Sequence, residues 1–221
     1  KCTDQNIMYL NGPRSLTIKN WNGLMKFIDT PYFVLNHHDE YPSNLLFLDL
    51  LESENFGLII LPTTSYSGGK PPHKIYSWQQ KIFSKICLIS PNASFNMLLS
   101  PTASLIVNSK AKDIFFDDNL KWFVDCEWYY RVFFKIKKYK LKINFTNISR
   151  IISLQSRNSI SSQISENLEK QIHIEKPLLF SKGLLPNKFV NFFQYFLLAL
   201  VLSYTKTKQI LLSKISFIFQ K

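Results

Sequence analysis

Glycine and acidic residues are scarce in this chain of 221 residues. It contains 6 glycines, and its 15 Asp and Glu residues face 27 Lys and Arg residues, for a formal net charge of +12. The scarcity of glycine excludes a collagen-like repeat, and a charged fraction of 19% with 46% apolar residues excludes a disordered tail. The length and apolar content predict one globular domain with its own core.

Cysteine is also rare and carries no pattern. Cys2, Cys87 and Cys126 are far apart and lack the spacing of metal ligands. A disulfide framework and a zinc-binding motif are therefore both excluded, and we expect isolated thiols in a reducing compartment.

A bilayer-spanning run is missing as well. Residues 189–204 are almost wholly apolar but fall short of the ~20 residues that cross a membrane. Lysines stand on both sides, and residues 210–219 are amphipathic. This pattern favours a helix that lies at a membrane surface or packs on a partner, with a core helix of the domain as the alternative.

The order of the remaining elements predicts an α/β fold. An apolar strand at residues 31–36 is followed by a helical pattern at 45–51 and a second strand at 57–61. Strand, helix and strand in this order indicate a βαβ unit, which places ligands at the carboxyl ends of strands. Residues 62–73 are expected to form a long mobile loop on the same side.

Residues after 75 contain further predicted helices and strands, and then a predicted boundary between two regions. Further helices and strands are expected in these segments: helices 76–86 and 120–135, strands 104–108, 141–145 and 148–154. A serine-rich linker at 156–165 then separates a catalytic region, residues 1–155, from a C-terminal helical region, residues 156–221. The chain does not begin with Met, and we expect it to start inside a domain.

The end of the first predicted strand carries acidic residues. His38, Asp39 and Glu40 follow the apolar run directly. Carboxylate oxygen is the ligand that Mg²⁺ and Mn²⁺ prefer, and a metal there would neutralise phosphate charge on a nucleotide. The sequence therefore predicts a cation site at this strand end.

A second group of carboxylates lies on the predicted helix 120–135. Asp125 and Glu127 are about 200° apart around a helix axis, so they cannot face one pocket. Glu127 has an ordinary partner four residues on in Arg131, whereas Asp125 has none, which favours Asp125 as a general base. Asp117 and Asp118 are expected to be N-caps of this helix.

Together with a third segment, these patterns resemble glycosyltransferase family 2, whose fold is called GT-A. Asn20-Trp21-Asn22-Gly23-Leu24 is similar to the asparagine turn of that family, and residues 32–42 resemble the strand that ends in its DXD metal motif. Residues 116–131 resemble the segment that carries the catalytic base, although Val124 stands where many members have Glu. The resemblance covers about residues 7–155.

The resemblance implies an activity and a site. It implies inverting transfer of a sugar from a nucleotide-sugar donor, with Asp125 as the base and Mn²⁺ or Mg²⁺ held by Asp39 and His37. Five residues would contact substrate: Asn22, His38, Glu127, Trp128 and Arg131. The family's nucleotide-binding strands would precede Lys1, so we expect a GT-A-like fold that lacks them, and no turnover by this segment alone.

The resemblance also implies partners and a location. The acceptor would be a glycan or a lipid-linked glycan, as in polysaccharide biosynthesis, and nucleic acid would not be a partner. The C-terminal region would hold the protein at the inner, cytoplasmic face of the cell membrane. The alternative is a non-catalytic membrane-surface or nucleic-acid-binding protein that uses its basic clusters at residues 135–142 and 182–221.

Overall fold

The computed structural model describes residues 17–37, 39–53, 55–67, 72–82, 102–155 and 168–184. The helices are α1 Thr17–Met25, α2 Phe47–Ser53, α3 Val124–Lys138 and α4 Leu168–Ser181, and residues 77–82 are also helical. The strands are β1 Tyr32–Phe33, β2 Glu40–Pro42, β3 Phe56–Ile60, β4 Thr63–Ser67, β5 His73–Ile75, β6 Leu105–Asn108, β7 Lys142–Phe145 and β8 Ile151–Gln155.

The strands form two four-stranded sheets, and the chain passes between them repeatedly. Sheet A has the order β1-β6-β3-β7, and sheet B has the order β2-β8-β4-β5. In each sheet one pair is parallel, β3 with β7 and β4 with β8, and the other pairs are antiparallel. The chain passes from sheet A to sheet B after β1, after β3 and after β7, so the end of β1 lies where the two sheets meet.

Sheet A is buried on both faces. Leu58 and Ile60 of β3 belong to the larger core together with helices α1 and α3, whereas Ile59 belongs to a second cluster with Phe47 of α2. Successive side chains of a strand point to opposite faces, so an uninterrupted apolar strand fits a sheet covered on both sides. The apolar run at residues 57–61, from which the strand was predicted, therefore reflects the central position of β3 in sheet A.

Helix α3 packs closely on β3 at Gly57. A β-carbon at this position would collide with Cγ2 of Ile136 and Cβ of Leu141. The pairing of β3 with β7 also shifts its register between Phe56 and Leu58. Glycine is required here because the side chains of Ile136 and Leu141 occupy the space that a β-carbon would need.

Helix α4 packs into the same core although it follows the predicted boundary after residue 155. Leu179 and Leu184 are buried in the larger core cluster, and Glu175 is fully buried. Helix α4 lies within the C-terminal region that was expected to be helical, although no separate helix was predicted there, and it contains Pro177 in its interior. Leu179 and Leu184 therefore share the core that residues before the predicted boundary form.

The predicted α/β class is confirmed, with several local differences. The expected strand at 31–36 shortens to β1, and the helix expected at 120–135 begins at Val124. The expectation of a loop over 62–73 is wrong, since β4 and β5 pair there with Thr63 opposite Ile75. Polar residues of β4 are accommodated in the strand, with Thr63 and Thr64 buried and Tyr66 exposed, so their polarity did not mark a loop.

Several predicted segments lie outside the described residues. They are the serine-rich linker at 156–165 and the C-terminal segments 189–204 and 210–219. Within the part of the chain that the structure describes, no helix is both long and apolar enough to cross a bilayer.

Candidate functional site

The acidic segment after β1 forms a closed turn. The Nδ2 of Asn36 donates hydrogen bonds to the carbonyl oxygens of His37 at 3.0 Å and Glu40 at 2.6 Å. The Glu40 N–H donates back to the His37 carbonyl at 3.2 Å, and the Leu154 N–H donates to the Asp39 carbonyl at 2.9 Å. The turn is thereby fixed to β8 at the junction of the two sheets.

Glu40 is the most enclosed carboxyl group of this turn. Its residue is 8% exposed, and its Oε2 has no hydrogen-bond partner among the described residues. Burial raises the pKa of Glu40 to about 7, against backbone hydrogen bonds from His37 and Ala103 that lower it. The negative charges of Asp39 and Asp125 raise this pKa further, so Glu40 interacts with both of these carboxylates.

Asp125 lies in the first turn of α3 and faces Glu40. It is half-buried, but its Oδ1 is enclosed and has no hydrogen-bond partner within the described ranges. Burial raises the pKa of Asp125 to about 6. A carboxylate that is still charged at neutral pH, and is more basic than a solvated one, has the properties of a general base.

Tyr129 completes this cluster from the next turn of α3. Residues four apart share a helix face, so its side chain lies beside that of Asp125. Tyr129 is 2% exposed, and burial raises the pKa of its hydroxyl well above its usual value, with further increases from the charges of Asp125 and Glu40. Three ionisable groups from α3 and the acidic turn therefore meet in one enclosed region.

Helix α1 joins this region through the motif Asn20-Trp21-Asn22. The Asn22 Nδ2 donates to the Phe116 carbonyl at 2.8 Å, and the Phe116 N–H donates to the Asn22 Oδ1 at 2.7 Å. The Trp21 ring lies edge-on to His37, with centroids 4.5 Å apart, and 5.0 Å from the ring of Phe116. The structure thus brings the three sequence motifs into contact.

Trp128, which the resemblance assigned to substrate binding, is enclosed in the core. It is 1% exposed, stacks on Phe116 with centroids 4.7 Å apart, and donates from Nε1 to the Ile114 carbonyl at 2.6 Å. Its contacts fix the segment that precedes α3.

Glu127 and Arg131 form an internal ion network on the opposite side of α3. Glu127 is fully buried and accepts from Arg131 Nε at 2.8 Å and Nη2 at 2.5 Å. Lys182 donates to Glu127 Oε1 at 2.8 Å and to Asp117 Oδ2 at 2.5 Å. The network holds the end of α4 against α3, and Asp125 and Glu127 interact with different groups.

The start of α3 is stabilised by a residue from α4. The predicted N-cap roles of Asp117 and Asp118 are wrong because α3 begins at Val124, beyond their reach, and Asp117 instead accepts from Asn119 and Lys182. Glu175, from a distant part of the sequence, instead binds the backbone of the segment that leads into α3, and Phe123 at the N-cap position has no side-chain cap. The Glu175 carboxylate accepts, at 2.7 to 3.3 Å, from three successive backbone N–H groups: Lys121, Trp122 and Phe123.

The carboxylates present are of the kind that bind a hard divalent cation, and of the two predicted ligands, Asp39 and His37, the ring of His37 lies against Trp21. Asp39 is half-buried beside the unpartnered Oε2 of Glu40, and carboxylate oxygen is the donor that Mg²⁺ and Mn²⁺ prefer. His38 lies outside the described residues, and no group of three or more metal-ligating side chains occurs among the described ones.

Part of the basic cluster at 135–142 makes contacts within the protein. Lys135 pairs with Asp113, and the Lys142 ammonium lies 5.0 Å from the ring centroid of Phe56. Basic residues engaged in this way are less available to a nucleic acid.

Sequence reasoning did not single out Tyr129, Glu175 or Lys182 as contributors to the site, whereas Glu40 belonged to the predicted cation site. The spacing of Asp125 and Tyr129 was a signal for a shared helix face. Glu175 and Lys182 are more than 50 residues from the groups they contact, and no local pattern reports such pairings.

No protein-family model matches the chain, and no curated protein matches it. The fold and contacts define its class as a mixed α/β protein with two small sheets and a buried carboxyl pair at their junction.

Proposed function

We propose that the chain is the catalytic part of an inverting glycosyltransferase with a GT-A-like fold. It would move a sugar from a nucleotide-sugar donor to a hydroxyl group of a glycan or lipid-linked acceptor. The observation that supports this most is Asp125, whose enclosed Oδ1 lacks a partner among the described residues and whose pKa is raised to about 6 beside a second carboxyl group.

Inverting sugar transfer requires a base that deprotonates the acceptor hydroxyl and a sugar whose anomeric carbon is attacked. The acceptor oxygen attacks the anomeric carbon from the side opposite the nucleoside diphosphate. The new carbon–oxygen bond forms as the bond from the anomeric carbon to the phosphate oxygen breaks, and Asp125 takes the proton of the acceptor hydroxyl. Such base catalysis contributes about 10²- to 10⁴-fold to rate.

The donor side of the site would be the acidic turn. Asp39, with His37 or His38, would hold Mn²⁺ or Mg²⁺, and the metal would neutralise the charge of the leaving diphosphate. Asn22 and Trp128 keep α1 and the segment before α3 in place, through their bonds to the backbone of Phe116 and Ile114. Glu127 binds Arg131 on α3 and Lys182 at the end of α4. These contacts would fix the position of α3 and therefore of Asp125.

The proposal is tested on the full-length protein with nucleotides and with labelled donors. Melting temperatures are measured with UDP, GDP and dTDP in the presence and absence of Mn²⁺. Transfer is measured from labelled sugars of the same nucleotides to a lipid and glycan extract of the source cells. The variants are Asp125→Asn, Asp39→Asn and, as the matched control, Asp118→Asn, since Asp118 is exposed.

The expected pattern separates the two acidic residues. Asp39→Asn abolishes the metal-dependent stabilisation by nucleotide, whereas Asp125→Asn keeps it and lowers transfer by about 10²- to 10⁴-fold. Asp118→Asn behaves like the unchanged protein. The proposal is wrong if no nucleotide stabilises the protein, or if Asp125→Asn transfers sugar at close to the original rate.

A further inference from the structure

Helix α4 carries large apolar side chains on the side that points away from the protein, among the exposed polar residues Lys170, His173 and Ser181. Ile174 is 53% exposed, Leu178 is 36% exposed and Phe180 is 73% exposed. Pro177 is also exposed, and at about 100° per residue these four side chains cover an arc of about 160°. The buried residues Glu175 and Leu179 occupy the opposite side of the helix. We call Ile174, Pro177, Leu178 and Phe180 the outer strip of α4.

The outer strip is accompanied by positive charge. Lys170 and Lys176 on α4 are exposed, and their aliphatic stems allow the ammonium groups to reach lipid headgroups while the apolar side chains insert. A face that combines large apolar residues with lysines, in a chain of net charge +12, is complementary to an anionic bilayer surface.

The sequence that follows α4 continues this character. Residues 189–204 are almost wholly apolar, with Lys188 before them and Lys206 and Lys208 after them. An apolar strip on the last described helix and an apolar, lysine-flanked sequence only a few residues later favour a lipid surface over a protein partner, because two adjacent membrane-binding signals give stable attachment.

We propose that the outer strip of α4 inserts into the headgroup region of an anionic bilayer. The binding does not depend on the proposed sugar transfer, because the strip lies on the side of α4 opposite Glu175. Glu175 binds the backbone of the segment that leads into α3, so the helix that carries Asp125 is held close to the membrane surface.

The first experiment reports the environment of the strip directly. Phe180→Cys is introduced into full-length protein whose other cysteines are replaced by serine, and the thiol is labelled with an environment-sensitive fluorophore. Emission is recorded alone, with phosphatidylcholine vesicles, and with vesicles of phosphatidylcholine and phosphatidylglycerol. A blue shift only with the mixed vesicles is expected. A blue shift without vesicles shows that protein covers the strip, and no shift with any vesicle shows that it stays in water; either result overturns the proposal.

The second experiment compares two matched triple variants in vesicle sedimentation. Ile174→Ser, Leu178→Ser and Phe180→Ser are combined, and the control combines serine substitutions of Leu45, Leu46 and Leu48, which are 59%, 51% and 45% exposed on another part of the molecule. The strip variant is expected to bind anionic vesicles about ten-fold more weakly, or worse, while the control keeps its affinity. Equal binding by the two variants contradicts the proposal, and circular dichroism of each confirms that it is folded.

Discussion

Replacing Glu175 by alanine removes the group that stabilises the start of α3. The Glu175 carboxylate is fully buried and accepts from three consecutive backbone N–H groups, as well as from Gln171 Nε2 at 2.6 Å. With alanine at 175, these N–H groups of the segment that leads into α3 lose their partner, and a negative charge near the positive end of the helix dipole is removed.

The size of the effect follows from how far water can replace the carboxylate. A buried donor left unsatisfied costs about 1–3 kcal/mol, and the lower end applies here because Lys121 is exposed and Trp122 and Phe123 are only half-buried. Three donors at about 1 kcal/mol each give a loss of about 3 kcal/mol in the free energy of unfolding. Glu175→Gln keeps one oxygen and the shape of the side chain, so its loss is expected to be smaller.

Urea unfolding followed by circular dichroism measures this loss. The midpoint of Glu175→Ala should fall without a change in the slope of the transition, because the surface exposed on unfolding is unchanged. Lys176→Ala is the control, since Lys176 is exposed on the same helix and its loss should change stability by less than about 0.5 kcal/mol. A loss below about 1 kcal/mol for Glu175→Ala refutes the role assigned to this carboxylate.

Further variants test the packing at Gly57, the hydrogen bonds of Asn22 and the raised pKa of Asp125. Gly57→Ala should lower the free energy of unfolding by about 1–3 kcal/mol because its β-carbon meets Ile136. Gly23→Ala, in α1 with open space around it, should raise it by about 0.5–1 kcal/mol, and equal thermal shifts would contradict the packing described. Asn22→Ala breaks both hydrogen bonds to Phe116 and should cost about 1–3 kcal/mol in urea unfolding, whereas an unchanged midpoint would mean that α1 is held by other contacts. Because Asp125 and Glu40 bind their protons more tightly in the folded than in the unfolded chain, both contributions make the protein less stable as pH rises from about 4 to 7. Asp125→Asn should flatten this dependence relative to the unchanged protein, and the same slope in both proteins would argue against a raised pKa.

The apolar elements of the fold could be predicted because their pattern is local. The uninterrupted apolar runs at β3 and β6 are typical of strands that are buried on both faces. Helix α3 could be predicted from the helical spacing of its apolar residues. The position of the acidic turn at the end of β1 also followed from the order of the elements.

The surroundings of the site could not be predicted in the same way. Whether Glu40 or Asp39 is enclosed depends on how the chain enters β2, and a shift by one residue reverses the face of each side chain. The bonds of Glu175 to the segment before α3 and the ion pair of Glu127 with Lys182 are long-range contacts made by α4 and the residue that follows it. The weak amphipathic pattern and internal proline of this helix concealed it. Local capping rules therefore selected Asp117 and Asp118, which lie too early in the chain.

The pH dependence of kcat/KM for sugar transfer tests most directly whether Asp125 is the base. In the full-length protein, the rate should fall on the acidic side with an apparent pKa between about 6 and 7, the range of the coupled carboxyl pair of Asp125 and Glu40. The residual activity of Asp125→Asn should lose this acidic limb, while Asp118→Asn keeps it. An acidic limb that survives unchanged in Asp125→Asn would contradict the role of Asp125.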